Sequence, residues 1–200
     1  NKVDAPYPVG LLYAQIGVLY GNDYDYPQAL EYIENALIHY EKSGKERLQY
    51  IAKRNIGQCY LNMLQFPQAE PLLKEVLEWG EAHNDSYIIS SALDLLLCLY
   101  DATANAEALD SLIMRYPIDV LPQNAATYGI IAHYYALRED KAVAEDALDY
   151  AWNICIAAED SIMLWQKSYQ VYKALDSPYD ALHSHEQLLA HQDSVIRITL

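Results

Sequence analysis

Three observations predict that this chain is all-α, a solenoid of about five helix-turn-helix repeats. A tyrosine recurs at Tyr20, Tyr60, Tyr100, Tyr135 and Tyr172, in steps of forty, forty, thirty-five and thirty-seven residues. An alanine follows each of them at nine residues (Ala29, Ala69, Ala144, Ala181) or, once, at eight (Ala108). Apolar residues around both fall at the three- and four-residue spacing of an amphipathic helix, as in Tyr13, Ile16, Gly17 and Tyr20, then Ala29, Ile33 and Ala36. An ordinary bundle shares that spacing but does not predict a constant Tyr-to-Ala interval. Fixed self-similarity marks a stack whose units bury their apolar faces on one another.

Residues 1–8, with Pro6 and Pro8, read as an irregular lead-in, and the first helix is expected over 9–20. Asp25 is placed to cap the second helix, with Pro27 in a first turn whose amides have no helical acceptor, and Ser43-Gly44 ends it. The second unit repeats the design over 46–64 and 67–82, with Phe66-Pro67-Gln68-Ala69 echoing Tyr26-Pro27-Gln28-Ala29. Asp85 or Ser86 caps an almost continuously apolar helix that runs to 101, and a short helix follows over 105–115. Pro117 and Pro122 then exclude a continuing helix, which makes 116–122 the one clear irregularity, apolar enough to pack on the body. Helices are expected again over 123–137, 140–157, 161–174 and, after the start signal Ser177-Pro178, 178–199. The repeats are thus placed at about 10–43, 50–83, 87–116, 123–157 and 160–197, within one domain covering 1–200.

On these residues the chain resembles the tetratricopeptide repeat family, whose motif has a large residue, Leu-Gly and Tyr on helix A, then Ala, a large residue and Ala on helix B. The first unit matches at Tyr13, Ile16, Gly17, Tyr20, Ala29, Ile33 and Ala36, and the second at Ile56, Gly57, Tyr60, Ala69, Leu73 and Val76. The fourth matches at Tyr128, Ile131, Ala132, Tyr135, Ala144, Leu148 and Ala151. The third keeps little beyond Leu96, Tyr100, Ala108 and Leu112, and the fifth carries Tyr169 where a small residue is usual. The resemblance implies a right-handed α-α superhelix, with Gly17, Gly57 and Ala132 letting helix A approach helix B and Tyr20, Tyr60 and Tyr135 mostly buried between helices. The ending, 189–196, is similar to the last repeat of tetratricopeptide sensor proteins in the envelope of Bacteroidetes-type bacteria. That likeness implies a sensor or assembly part of a larger signalling protein, periplasmic or envelope-located and tethered by segments outside this sequence, with a cytoplasmic setting as the alternative.

Composition narrows the function class. A chain that is 52% hydrophobic and 20% charged has the balance of a globular protein. Its formal net charge of −15, with 13 Lys and Arg, argues against a nucleic-acid footprint or docking on anionic lipid. No run approaches the length of a membrane span. Cys59, Cys98 and Cys155 lack CxxC spacing and read as small buried packing residues.

No catalytic pattern emerges. Gly-rich phosphate loops, a nucleophile elbow and HExxH are absent. His183 and His185 are two residues apart and so face different ways on a helix, unlike zinc ligands spaced by three or four, and with His191 they read as a solvated face. The acid pairs Glu139-Asp140 and Glu159-Asp160 fall at helix junctions, where capping accounts for them. The expectation is a non-enzymatic scaffold without cofactor or metal, binding a protein or peptide.

In the resembled family, ligands lie on the concave face, lined by helix A residues beside the packing positions. Here these are Gln15, Asn22, Arg54, Gln58, Asn62, Asp94, His133, Gln166 and Gln170, mostly amides that suit an extended peptide backbone, with Val18 and Cys98 among them. The clamp for peptide carboxylates found in chaperone-binding relatives is missing, since its first positions read Ala14, Arg54, Asp94, Gly129 and Gln166. A small-ligand or glycan receptor using Trp79, Trp152 or Trp165 is the alternative, and an intramolecular regulatory domain a third reading.

Overall fold

The computed structural model describes the backbone of residues 6–118, 120–155 and 158–199, and side chains over 7–118, 120–155 and 161–192. Ten helices account for the described secondary structure, and no strand occurs among the described residues. They divide into two compact units, Asn1–Val120 and Leu121–Leu200, and the boundary falls inside the segment that carries Pro117 and Pro122. The first unit contains α1 (Pro6–Asn22), α2 (Tyr26–Lys42), α3 (Glu46–Asn62), α4 (Phe66–His83), α5 (Ser86–Ala102) and α6 (Ala106–Arg115). Each packs on its successor, and α3 also meets α5. The second contains α7 (Ala125–Ala136), α8 (Lys141–Ile154), α9 (Ala158–Ala174) and α10 (Pro178–Thr199), with α7 against α8 and α9, and α9 against α8 and α10. Consecutive helices packed on their neighbours are the arrangement of a helical repeat solenoid.

The constant Tyr-to-Ala interval has a backbone cause. Four residues after each repeat tyrosine the chain enters the left-handed region, at Tyr24 (φ 61°), Leu64 (φ 59°), Ala104 (φ 51°), Glu139 (φ 61°) and Asp176 (φ 53°). One residue later the amides of Asp25, Gln65, Asn105, Asp140 and Ser177 donate to the carbonyls of Tyr20, Tyr60, Tyr100, Tyr135 and Tyr172, at 2.8–3.1 Å. This is the six-to-one bond of a Schellman helix ending. The donor then turns the chain into helix B: the side chains of Asp25, Asn105 and Asp140 accept from the amides of Gln28, Ala108 and Val143. Ser177 acts differently, its hydroxyl donating to Asp180. All five hairpins therefore share one turn length, and the residue nine beyond the tyrosine faces helix A.

That geometry corrects the third repeat. Because Asn105 caps α6 at the usual place, the ninth residue is Leu109, which is buried, whereas Ala108 is only half-buried. A leucine stands where the other repeats have alanine. Elsewhere the small residues behave as the spacing requires: Ala29, Ala36, Ala69, Ala132, Ala144 and Ala151 are fully buried. A Cβ on Gly17 would sit 2.6 Å from Ile33 Cγ1 and 3.1 Å from the Ala29 carbonyl oxygen, and one on Gly57 would sit 2.7 Å from Leu73 Cδ2.

The repeat tyrosines lie in the seam between helices, buried to differing degrees. Tyr20, Tyr60 and Tyr135 are half-buried, Tyr20 and Tyr60 pack against the core that α2 forms with α3, and Tyr20 also stacks on Tyr32 of α2 with ring centroids 5.3 Å apart. Tyr100, in the repeat whose motif is weakest, is 2% exposed and donates to Glu70 Oε1 at 3.1 Å. The cysteines divide likewise: Cys59 is buried, with burial pushing its thiol up to about 11, while Cys98 and Cys155 are half-buried. In the irregular segment Tyr116 is buried, and its hydroxyl donates to Glu81, which Arg115 also holds at 2.8 Å. Burial and that carboxylate push the Tyr116 phenol up to about 12.

The turn and the close approach give opposite outcomes for glycine. Leu64 is exposed and left-handed, so Leu64→Gly is expected to raise stability by about 0.5–1 kcal/mol, because left-handed backbone costs an L side chain about 1–2 kcal/mol and glycine's extra chain entropy offsets part of the gain. Gly17→Ala is expected to lower it by about 1–3 kcal/mol through overpacking against Ile33. Urea unfolding of the two variants measures both, and a destabilised Leu64→Gly would contradict the turn assignment.

Candidate functional site

Arg54, Gln58 and Asn62 recur every four residues and so form one stripe along α3. The last turns of α1 present Val18 and Asn22 opposite them, and Tyr26, Ala29 and Ile33 of α2 contribute the base. The result is a cleft of about 280 Å³. Gly17 and Gly21 line the α1 wall, so the cleft extends to the backbone of that helix. Its chemistry is apolar below and amide-rich above, the combination that seats a side chain while holding a peptide backbone by hydrogen bonds.

Arg54 is the unusual member. Its Nη1 donates to Gln58 Oε1 at 2.7 Å and to Asn55 Oδ1 at 3.0 Å, both neutral oxygens on its own helix. Its Nε is buried without a protein acceptor. Other cations of the first unit meet carboxylates, for instance Arg47 with Asp85 at 2.6 Å and Lys53 with Glu75 at 2.7 Å. A buried donor left unmade costs about 1–3 kcal/mol. The guanidinium is thus held in place by neutral amide oxygens of its own helix.

The nine residues expected to line a groove separate in the structure. Asn22, Arg54, Gln58 and Asn62 come together in this cleft. Gln15 is exposed on α1 and Asp94 half-buried on α5, and neither lines it. The other three belong to the second unit, His133 on α7 and Gln166 and Gln170 on α9, where Gln170 Oε1 is buried without a donor. Two contributors were not anticipated. Asn55 matters because its carbonyl oxygen orients Arg54, which nothing in the spacing signals. Tyr26 could have been noticed, since it opens α2 just before Pro27, as Phe66 opens α4 before Pro67.

Other candidate groups are engaged elsewhere. Trp79 stacks on Tyr50 and His83, at 4.6 and 4.1 Å, and donates to Glu46 Oε1 at 3.0 Å. Trp152 lies 4.5 Å from Trp165 and donates to Ser168 Oγ at 3.2 Å. His183 and His185 are exposed beside the rings of Trp165 and Tyr169, with His191 half-buried near Trp165. No cluster of three or more potential metal ligands occurs among the described residues, and no helix there is long and apolar enough to cross a membrane. Asp140 caps α8, as read from sequence; the side chains of Glu159 and Asp160, and those of 193–200, lie outside the described residues.

No family model matches the chain, and no curated protein matches it in sequence.

Arg54→Met keeps the aliphatic stem and removes the unmet donor. It is expected to leave stability unchanged or raise it by about 1 kcal/mol, the pattern of a residue kept for binding rather than folding. Urea midpoints measure this, and a loss above about 1 kcal/mol would identify Arg54 as a structural residue.

Proposed function

We propose that the protein is a non-enzymatic binding scaffold of the tetratricopeptide kind, and that the cleft between α1 and α3 anchors an extended segment of another polypeptide. The buried, unaccepted Arg54 Nε amid Asn22, Asn55, Gln58 and Asn62 is the observation that carries this reading. Arg54 and the amides bond carbonyl or carboxylate oxygens of the bound chain, and the apolar base formed by Ala29 and Ile33 takes one of its side chains. The resemblance of 189–196 to envelope sensor proteins supports a role as the sensing or assembling part of a signalling protein in the cell envelope. A glycan receptor has less support, because Trp79 already stacks on Tyr50 and Trp152 packs at a tilt against Trp165 of its own chain.

Selection of random dodecapeptides displayed on phage against the immobilised chain tests the proposal. Wild type is expected to enrich peptides whose affinity falls at least tenfold, about 1.4 kcal/mol, in Arg54→Ala/Gln58→Ala/Asn62→Ala. Glu34→Lys, an exposed change on α2, should leave it unaltered. Peptides that bind the triple variant as well as wild type, or no enrichment at all, would overturn the assignment.

A further inference from the structure

From Pro6 to Asn22, α1 carries no charged residue, although the chain bears a net charge of −15. Leu12, Ile16 and Leu19 share one of its faces and are 60, 37 and 62% exposed. Repeat register tells what this face is. Forty residues on, the same positions in α3 are Ala52, Ile56 and Cys59, and forty further, in α5, they are Ala92, Leu96 and Leu99, all 5% exposed or less. In α9 the corresponding Leu164, Ser168 and Val171 are at most 1% exposed. Each of those helices packs on the helix B that precedes it: α3 on α2, α5 on α4 and α9 on α8. The α1 face is therefore the helix A side of a repeat junction, uncovered among the described residues.

The opposite half of such a junction is also present, and uncovered among the described residues. On α10, Tyr179, Leu182 and Leu189 share a face and are 80, 57 and 49% exposed, whereas Ala181 and Ser184 on the other side are buried. In register, Leu182 and Leu189 correspond to Leu30 and Leu37 of α2, which pack against the core that α2 forms with α3. Leu189 also corresponds to Leu77 of α4, which is 5% exposed, and to Trp152 of α8, which meets Trp165 of α9. These are the positions through which a helix B receives the next helix A.

We propose that a second copy of the chain completes the junction, α10 of one copy packing on α1 of the next. The interface repeats the internal one, leucines of a helix B against the Leu12, Ile16 and Leu19 face of a helix A, with no charge on the α1 side to desolvate. It is head-to-tail, one copy offering α10 and the next α1, so copies join into a closed ring or an open chain. The peptide cleft plays no part in it.

Sedimentation equilibrium of the whole chain tests this with two doubly substituted variants. Wild type should show a weight-average mass that rises with concentration above that of the monomer. Leu12→Glu/Leu19→Glu and Leu182→Glu/Leu189→Glu should each stay monomeric, and their mixture should form dimers and nothing larger, since each retains one intact face. Circular dichroism and melting should match wild type because all four sites are exposed; if either Glu variant melts early, Leu→Gln at the same sites replaces it. A wild type that stays monomeric up to about 0.5 mM, or a dimer lost in one variant and not restored by mixing, would overturn the proposal.

Discussion

Everything in this fold depends on how each helix A stops. The repeat tyrosine's carbonyl accepts the amide five residues on, the intervening residue turns left-handed, and the donor becomes the first cap of helix B. That sets the interval from tyrosine to the helix B residue that faces helix A at nine, whatever the side chains of the turn. Given a fixed hairpin, the distance between its two helices is left to the residues at the crossing, and glycine or alanine there brings backbone against side chain. Such tight hairpins expose one face each, and stacking is what buries it.

The fold was readable because the signals lie in packing. Gly17 against Ile33, Gly57 against Leu73 and the buried alanines recur at intervals that only a repeated hairpin explains. The turn itself was not readable: Tyr24, Leu64, Ala104, Glu139 and Asp176 share no side-chain property, and no glycine marks the place, because hydrogen bonds from neighbouring residues stabilise the backbone there. Ala108 misled for the same reason, as an alanine one place early looked like a shortened turn, while the turn kept its length and Leu109 took the buried position. Recurrence of the tyrosines marks the carbonyl that closes the turn, and burial of the ring varies from Tyr100, enclosed, to Tyr20, half-buried against Tyr32.

The candidate cleft was half visible. Arg54, Gln58 and Asn62 are one helical stripe and could be grouped from spacing alone, and Asn22 joins them because α1 and α3 stand on either side of α2. What sequence could not give is the state of Arg54, which rests on Asn55 and Gln58 and keeps a buried donor unmet. A polar group held unsatisfied by a well-packed scaffold is the kind of local inconsistency that functional sites contain. The exposed leucines of α1 carry the same logic at larger scale, since a face that is buried in α3, α5 and α9 has an evident purpose only when something covers it.

The shared turn can be examined directly by amide hydrogen exchange. The amides of Asp25, Gln65, Asn105, Asp140 and Ser177 sit in short surface connections, yet each is bonded to a tyrosine carbonyl. Exchange of all five at rates comparable to the helix amides beside them would bear out one turn repeated five times. Exchange at the rate of an open loop, in most of the five, would mean that the hairpins are not set by this turn.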